Sequence, residues 1–311
     1  MPQRLIIDCD PGVDDAVALL LAFAAPDVFD IAAIATVAGN VGARLTARNA
    51  RIVRQIAGRA DVPVYAGCER PMRRAPVEAA EFHGASGLGD LTIFEPAAAV
   101  ETEHAVDAIV RLARAAAPGE MSIAVTGPCT NLATAFERAP EIADRFAQIV
   151  IMGGARSEGG NITASAEYNI YADPHAADIV LRRGKNIVMA GLDVTHTLRA
   201  TPERIAVLRG LGNPRALAAA QLLQFSSDAE IQHGIPGGAP LHDPATIAWL
   251  MAPHLFEAKP AHVEVETGSP LTQGHTAVEF RLSAAHLANA RWIVRADADG
   301  VFALLNERLA R

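Results

Sequence analysis

Short apolar segments alternate with helix-patterned segments along most of this 311-residue chain. The mostly apolar run at residues 4–8 is typical of a strand buried on both faces of a parallel sheet. Residues 14–25, which follow it, carry apolar side chains at helical spacing and stop before Pro26, where a helix is disfavoured. Strands that alternate with helices pair in parallel, and the connecting helices cover the sheet. The pattern predicts an α/β fold with an open, mainly parallel twisted sheet and helices on both faces.

The same strand and helix periodicities predict the secondary structure of most of the remaining chain. Residues 67–97 are rich in Gly and Pro and are predicted to form a long loop, which in a compact domain is usually functional. No repeat or linker interrupts the pattern, so residues 1–311 are predicted to form a single domain. Further strands are predicted at residues 31–37, 62–65, 121–125, 149–152, 187–190, 261–266, 277–281 and 292–294. Further helices are predicted at residues 41–57, 101–116, 131–137, 174–183, 202–230 with a break at 212–214, 243–251 and from Val301 onward.

The composition argues against several classes of protein. With 27 basic and 35 acidic side chains the net charge is −8, which disfavours a nucleic-acid partner because phosphate contacts need clustered Lys and Arg. No stretch approaches the roughly 20 apolar residues of a membrane span, and the first apolar run is too short for a signal peptide. Three cysteines without a CxxC pair disfavour a disulfide scaffold or a zinc ribbon. The sequence predicts a soluble, cytoplasmic protein.

Four carboxylates crowd into eight residues at the end of the first predicted strand. Asp14 and Asp15 open the next helix, where the helix dipole stabilises negative charge, and a solvated acidic turn would explain them. It would not explain Asp8 and Asp10, which are two residues apart on an apolar strand and are expected to point to one side. Buried, unpaired charge is costly. A hard divalent cation bound by oxygens would neutralise the cluster.

Two other aspartate motifs fit this cluster less well. An EF-hand needs a glutamate at its twelfth position, which is Leu19 when Asp8 is counted as the first. In phosphate-transfer Asp-x-Asp motifs the first Asp is the nucleophile, and a Thr or Val normally stands four positions on, where this chain has Gly12. A metal-dependent phosphohydrolase remains an alternative, although the only lysines, Lys185 and Lys259, do not fall at obvious strand ends.

The carboxylate cluster at residues 8–16 resembles the signature of the inosine-uridine-preferring nucleoside hydrolase family. Further segments resemble blocks of that family, and they follow one another in the family's order through the first 250 residues. One such block would be weak evidence, whereas six in order are specific. These blocks are Ala38-Gly39-Asn40, His83-Gly84, Thr126-Gly127-Pro128, Met152-Gly153-Gly154, residues 167–174 and His242-Asp243-Pro244.

The resemblance implies a Rossmann-like nucleoside hydrolase fold and hydrolysis of the N-glycosidic bond of a ribonucleoside to ribose and free base. It also implies a Ca²⁺ cofactor, which takes six to eight oxygen ligands. Calcium is a weaker acid than zinc, so Asp10 is expected to take the proton from the calcium-bound water that attacks the sugar. The expected metal residues are Asp8 (as ligand or as support for one), Asp10, Asp15, the Thr126 carbonyl and Asp243.

The resemblance also implies the residues that contact the substrate. Polar side chains can bridge the ribose hydroxyls, and Met152 would pack beside the sugar. His242 is expected to protonate or hydrogen-bond the departing base as a second catalytic residue, and His83 to lie near the base. Two of these residues also have a purely structural interpretation: Met152 could belong to the hydrophobic core, and His83 could be a surface residue. The expected ribose contacts are Asp14, Asn40, Asn161, Glu167 and Asn169.

The segment at residues 230–241 leaves the preferred base open. In the family this region closes over the base, and its glycines here fit a mobile lid that excludes water. His233 either contacts the base or is a solvated loop residue. A non-catalytic nucleoside-binding module would keep the ribose residues but lose Asp10 or His242, and both are present. The family implies a small-molecule ribonucleoside partner and a homodimer or homotetramer.

Overall fold

The computed structural model describes residues 2–311 of the chain. Its strands are β1 (Gln3–Cys9), β2 (Phe29–Thr36), β3 (Val64–Ala66), β4 (Met121–Val125), β5 (Phe146–Met152), β6 (Ile187–Ala190), β7 (Arg199–Ala200), β8 (Ala239–Pro240), β9 (Phe256–Val265), β10 (Thr276–Glu279) and β11 (Ala290–Ala296). Its α-helices are α1 (Val13–Phe23), α2 (Ala43–Ile56), α3 (Ala80–His83), α4 (Ala105–Ala115), α5 (Thr130–Arg138), α6 (Tyr168–Ala172), α7 (Pro174–Arg183), α8 (Leu192–Thr195), α9 (Pro202–Gly210), α10 (Pro214–Gln232), α11 (Pro244–Met251) and α12 (Ala298–Leu309).

Nine strands form one sheet in the order β10-β9-β11-β6-β5-β4-β1-β2-β3. Every pair from β3 to β11 is parallel, and β9 alone runs against its two neighbours. The predicted α/β fold with a mainly parallel sheet is therefore confirmed. Strand order reverses at β1, which lies between β2 and β4. In such sheets ligands bind where the order reverses, at the carboxyl ends of the strands.

Side chains of β1 alternate between two apolar layers, as the two-residue period of a strand requires. Leu5, Ile7 and Cys9 face a layer that includes α1, α10, α11 and α12. Ile6 faces the opposite layer, which includes α4, α5 and α7. Helices thus cover both faces of the sheet, as predicted. Within residues 2–311, the helices are all too short or too polar to cross a membrane.

Two predicted helix boundaries shift for local reasons. The helix predicted at residues 101–116 begins at Ala105, because the His104 ring caps it by accepting a hydrogen bond from the Val106 N–H at 3.2 Å. The long loop at residues 67–97 is interrupted by the single turn α3. The predicted break at residues 212–214 is confirmed, since Asn213 caps the start of α10.

The last part of the sheet differs more from the prediction. Strand β9 begins at Phe256, five residues before the predicted start, although it contains Pro260. Pro260 pairs with Arg291 of β11, whereas β10 pairs only with residues 262–265 of β9. The proline therefore lies where one edge of β9 is open, so its missing N–H breaks no ladder bond. The small antiparallel pair β7–β8 was not predicted, and it joins the end of the 230–241 segment to residues after α8.

Candidate active site

A cavity of about 410 Å³ opens at the carboxyl end of the sheet, where the strand order reverses. Segments that follow β1, β2, β4, β5 and β6 contribute to its walls, so it is the crevice expected for this topology. Most of the predicted site residues line it: Asp14, Asn40, His83, Thr126, Met152, Asn161, Glu167, Asn169, His242 and Asp243.

Three carboxylates form an acidic group beside the cavity. Oxygens of Asp14, Asp15 and Asp243 all lie within 4.8 Å of one another, close enough to share one metal ion. Asp14 and Asp15 belong to the first turn of α1, and Asp243 is the N-cap residue of α11. The positive ends of two helix dipoles therefore converge on the negative charge. The Thr126 hydroxyl donates to Asp15 Oδ1 at 2.8 Å, and the Gly12 N–H donates to Asp15 Oδ2 at 3.1 Å.

Burial makes this acidic group costly to ionise. It raises the pKa of Asp15 to about 7, and the neighbouring charge of Asp14 adds to the increase. Burial, followed by the charges of Asp14 and Asp15, also raises the pKa of Asp243 well above its usual range. Closely spaced buried carboxylates either retain protons or bind a cation. The acidic group is therefore suited to holding a metal ion.

Asp10 follows the last residue of β1 and lies outside the acidic group. Its Oδ2 accepts a hydrogen bond from the Asn40 N–H at 2.7 Å. Its Oδ1 is buried and has no hydrogen-bond partner within residues 2–311. Gly39 and Gly127 flank the carboxylate so closely that a Cβ on Gly39 would overlap Oδ2, and one on Gly127 would come within 2.6 Å of Oδ1. The described residues thus pack tightly around a carboxylate and leave one of its oxygens unpaired.

Asp8 is also outside the acidic group and is bound by α5. Its Oδ1 accepts a hydrogen bond from Asn131 Nδ2 at 2.8 Å, and the same amide donates to the Thr36 carbonyl at 3.0 Å. Asn131 Oδ1 in turn accepts from the Cys68 N–H at 2.8 Å. Burial raises the pKa of Asp8 to about 7, although the Asn131 hydrogen bond opposes the increase. Its other oxygen, Oδ2, is buried without a hydrogen-bond partner within residues 2–311, so both roles expected for Asp8 remain predictions.

The predicted ribose residues form a connected set at the ends of β4 and β5. Asn169 Nδ2 donates to the Thr126 carbonyl at 2.7 Å and to the Met152 carbonyl at 3.3 Å. Glu167 caps α6 by accepting from the Asn169 and Ile170 N–H groups. These bonds fix Glu167 and Asn169 beside the carbonyl of Thr126 that is expected to bind metal. Asn161 also lines the cavity, and its Oδ1 accepts from the Tyr168 N–H at 2.9 Å.

Two histidines line the cavity with their Nδ1 atoms already engaged. His83 Nδ1 accepts a hydrogen bond from the Val13 N–H at 3.1 Å, so the ring proton is on Nε2. His242 Nδ1 lies 2.8 Å from the Thr195 hydroxyl. Burial lowers the pKa of His83, and it lowers the pKa of His242 to about 4. Burial therefore favours the neutral form of both rings, and each can offer Nε2 to a ligand.

The 230–241 segment lines part of the cavity, where the ring of His233 stacks on another aromatic ring. His233 stacks on Phe82 of α3, with ring centroids 4.8 Å apart and planes inclined by 28°. Both residues line the cavity, as does Glu230. Arg199 makes two interactions with this segment. It donates a hydrogen bond to the Gly238 carbonyl at 2.9 Å, and it forms an ion pair with Glu230 at 3.7 Å. His233 thus lines the cavity while its ring stays exposed, and its contact with the base remains a prediction.

Sequence reasoning missed several lining residues, among them Phe82, His196, Arg199 and Ser226. His196 and Arg199 follow β6 through the short helix α8. They could have been found, because residues just beyond the carboxyl ends of parallel strands commonly face the ligand site. Phe82 and Ser226 carry no such signal, since Phe82 lies on the short helix α3 and Ser226 lies within the long helix α10.

The family model for inosine-uridine preferring nucleoside hydrolases matches residues 5–303 of the chain. The pyrimidine-specific ribonucleoside hydrolase RihA of Citrobacter koseri is 42% identical over 312 residues, which cover 100% of this chain and 99% of the relative. A plant nucleoside hydrolase structure superposes with a TM-score of 0.93 at 31% identity, covering 100% and 99% of the two chains. The purine-preferring ribonucleoside hydrolase from Gardnerella vaginalis gives a TM-score of 0.92 at 32% identity, covering 99% and 98%.

The chain therefore belongs to the inosine-uridine-preferring nucleoside hydrolase family. It hydrolyses the N-glycosidic bond of ribonucleosides. The expected fold, family and reaction are confirmed. The phosphohydrolase and the non-catalytic binding module are correspondingly disfavoured.

Proposed function

We propose that this enzyme uses Ca²⁺ for the hydrolysis, with Asp10 as the general base. The observation that carries the proposal is the unpaired, buried Asp10 Oδ1 next to a site where three further carboxylates converge. The expected metal donors are all oxygens: the carboxylates of Asp10, Asp15 and Asp243 and the carbonyl of Thr126. An all-oxygen set with several carboxylates fits a hard cation such as calcium and does not fit zinc, which prefers nitrogen and sulfur ligands.

Calcium bound by these residues would make water more acidic and would hold the 2′- and 3′-hydroxyls of the ribose. Asp10 accepts the proton of the attacking water on Oδ1, which no other group occupies within the described residues. The water oxygen bonds to the anomeric carbon as the C–N bond breaks, through a sugar with oxocarbenium character. The nearby carboxylates of Asp14 and Glu167 stabilise the positive charge that develops on the sugar.

Ribose recognition is assigned to the polar residues of the cavity wall. Within the described residues only Nδ2 of the Asn169 side chain makes hydrogen bonds, so its Oδ1 can accept from a hydroxyl. Asp14, Asn40, Asn161 and Glu167 complete the expected contacts, and Met152 packs beside the sugar. The departing base leaves toward His242 and His83, each of which offers Nε2.

We further propose that pyrimidine ribonucleosides are the preferred substrates. The support is the 42% identity to relatives named as pyrimidine-specific, which exceeds the 32% identity to the purine-preferring enzyme of known structure. Cytoplasmic location and a homodimer or homotetramer remain predictions.

The test is release of free base from uridine, cytidine, inosine and guanosine, each with calcium and after exhaustive chelation. Asp10→Asn keeps the shape of the side chain but removes the base, and should lower kcat by roughly 100-fold or more. Asp107→Asn, which changes an exposed aspartate in α4, is the matched control and should leave kcat unchanged. Full activity after chelation would exclude the calcium requirement, and faster purine hydrolysis would overturn the pyrimidine preference.

A further inference from the structure

Thr195 makes a contact with His242 that the proposed mechanism has not used. Thr195 ends α8 and is fully buried, and its hydroxyl lies 2.8 Å from His242 Nδ1. This is the one hydrogen bond of that hydroxyl within residues 2–311. The contact joins the segment after β6 to the segment that carries His242 and Asp243. Thr195, which is 47 residues from His242 in the sequence, therefore helps to orient the His242 ring.

The direction of this hydrogen bond follows from the burial of Thr195. If His242 Nδ1 donated, the hydroxyl hydrogen of Thr195 would be buried without an acceptor, which is unfavourable. If the hydroxyl donates instead, both groups are satisfied by one bond. The geometry therefore favours donation from Thr195 Oγ1 to His242 Nδ1. A neutral imidazole that accepts on Nδ1 carries its proton on Nε2.

The other nitrogen of His242 faces the cavity. Nε2 has no hydrogen-bond partner in the described part of the chain, yet it is not among the buried unpaired atoms, and the ring lines the cavity. His196 packs edge-to-face against the ring, with centroids 5.7 Å apart. His196 is itself held by Glu158 through a 3.0 Å contact at its Nδ1. The imidazole is thus oriented from two sides, with Nε2 as its exposed polar atom.

We propose that Thr195 is a positioning residue that fixes His242 as the Nε2–H tautomer and so supplies a hydrogen-bond donor to the departing base. The inference rests on the proposed function, in which the base leaves toward His242. When the C1′–N bond breaks, its electron pair goes to the base, and the attacking water gives its hydroxyl to C1′ and its proton to Asp10. The Nε2–H group stabilises the negative charge on the base, which then takes up a proton from solvent.

The tautomer predicts a dependence on the leaving group. Thr195→Val keeps the shape of the buried side chain but removes the donor, so His242 can place its proton on Nδ1 and present a lone pair to the base. We expect kcat on uridine to fall roughly 10- to 100-fold, as is typical when a hydrogen-bond partner of a site residue is lost. Hydrolysis of 4-nitrophenyl β-D-ribofuranoside should change less than about two-fold, because nitrophenolate departs without a donor. Thr195→Ser retains the hydroxyl and should restore uridine hydrolysis.

Two controls separate this role from a structural one. Thr197→Val removes a hydroxyl that donates to the Val194 carbonyl and does not touch His242, so it should leave the ratio of the two substrates unchanged. ¹⁵N NMR of histidine-labelled enzyme should show His242 with an unprotonated Nδ1, identified by its loss in His242→Gln. Equal losses on both substrates in Thr195→Val, no rescue by Thr195→Ser, or a protonated Nδ1 would each overturn the proposal.

The proposed function can fail separately. If the unaltered enzyme needs no calcium, the metal assignment is wrong, but the two-substrate ratio still tests Thr195. If His242→Ala lowers hydrolysis of uridine and of the nitrophenyl riboside equally, the assignment of His242 to the leaving base is wrong, and the inference about Thr195 falls with it.

Discussion

Asn40 is hydrogen-bonded twice to Asp10: its backbone N–H donates to Asp10 Oδ2 at 2.7 Å, and its side-chain Nδ2 donates to the Asp10 carbonyl at 3.2 Å. The same Nδ2 donates to Asp15 Oδ2 at 3.1 Å. One asparagine therefore holds both the proposed base and a proposed metal ligand. Because its N–H and Nδ2 already donate to aspartates, Asn40 can contact ribose only by accepting a hydrogen bond on Oδ1.

This arrangement predicts that Asn40→Ala weakens calcium binding rather than ribose binding alone. Removing the amide leaves the buried Asp15 with fewer donors and frees it to move, so we expect the calcium concentration for half-maximal activity to rise roughly 10- to 100-fold. Asn161→Ala is the comparison, because within residues 2–311 the one hydrogen bond of its side chain is from the Tyr168 N–H, and it should raise KM at an unchanged calcium requirement. Activity measured against free calcium distinguishes them, and identical calcium curves would contradict the prediction.

Gly39 and Gly127 should be intolerant of a single added methyl group. A Cβ on Gly39 would overlap Asp10 Oδ2 and displace the carboxylate, so Gly39→Ala should lower kcat by roughly 100-fold or more. It should also destabilise the fold by about 1–3 kcal/mol through overpacking. Gly210→Ala is the matched control, since a Cβ there would have no neighbour within 4 Å among residues 2–311, and the residue ends helix α9. Wild-type kcat in Gly39→Ala would show that Asp10 need not occupy this position.

The calcium-free enzyme should lose stability as the pH rises. Burial raises the folded-state pKa of Asp8 and Asp15 from 3.8 to about 7. Between these values the folded protein binds protons that the unfolded chain releases. Their contribution is therefore fully present below pH 3.8 and is lost as the pH rises through 7. With chelator, we expect a lower Tm at about pH 8 than at about pH 5.

Calcium should reverse most of this loss, because it favours the ionised carboxylates. Its effect on Tm should therefore be larger at about pH 8 than at about pH 5. Asp8→Asn removes one of these titrating carboxylates and should reduce the pH dependence of Tm in chelator. A Tm that rises steadily with pH in chelator would show that these carboxylates are already ionised in the folded protein.

The stacked rings of Phe82 and His233 should be coupled in substrate binding. They lie on opposite segments of the cavity wall, α3 and the end of α10, and aromatic pairs of this kind contribute about 0.5–1.5 kcal/mol beyond their buried area. Phe82→Leu and His233→Ala should each raise KM for uridine, and the double variant should raise it by less than the product of the two. His254→Ala, an exposed histidine outside the cavity, is the control. Strictly multiplicative effects would show that the stack is not part of the binding site.

The local parts of the site could be predicted from the sequence, whereas their mutual positions could not. Asp14 and Asp15 were placed correctly at a helix start, because one turn of helix fixes their spacing. Asp8 and Asp10 were expected to act together because they are two residues apart. However, β1 ends at Cys9, so strand alternation no longer dictates where Asp10 points, and the two carboxylates bind different elements.

The sequence by itself determined the α/β class, the acidic turn after the first strand, and membership of a hydrolase family, because periodicity and short motifs depend on neighbouring residues. Only the tertiary structure decided that Asp243 joins Asp14 and Asp15, and that Thr195 faces His242 Nδ1. It also decided that His233 meets Phe82. These contacts join segments far apart in sequence, and they depend on strand order and on the packing of helix ends, which no local pattern encodes.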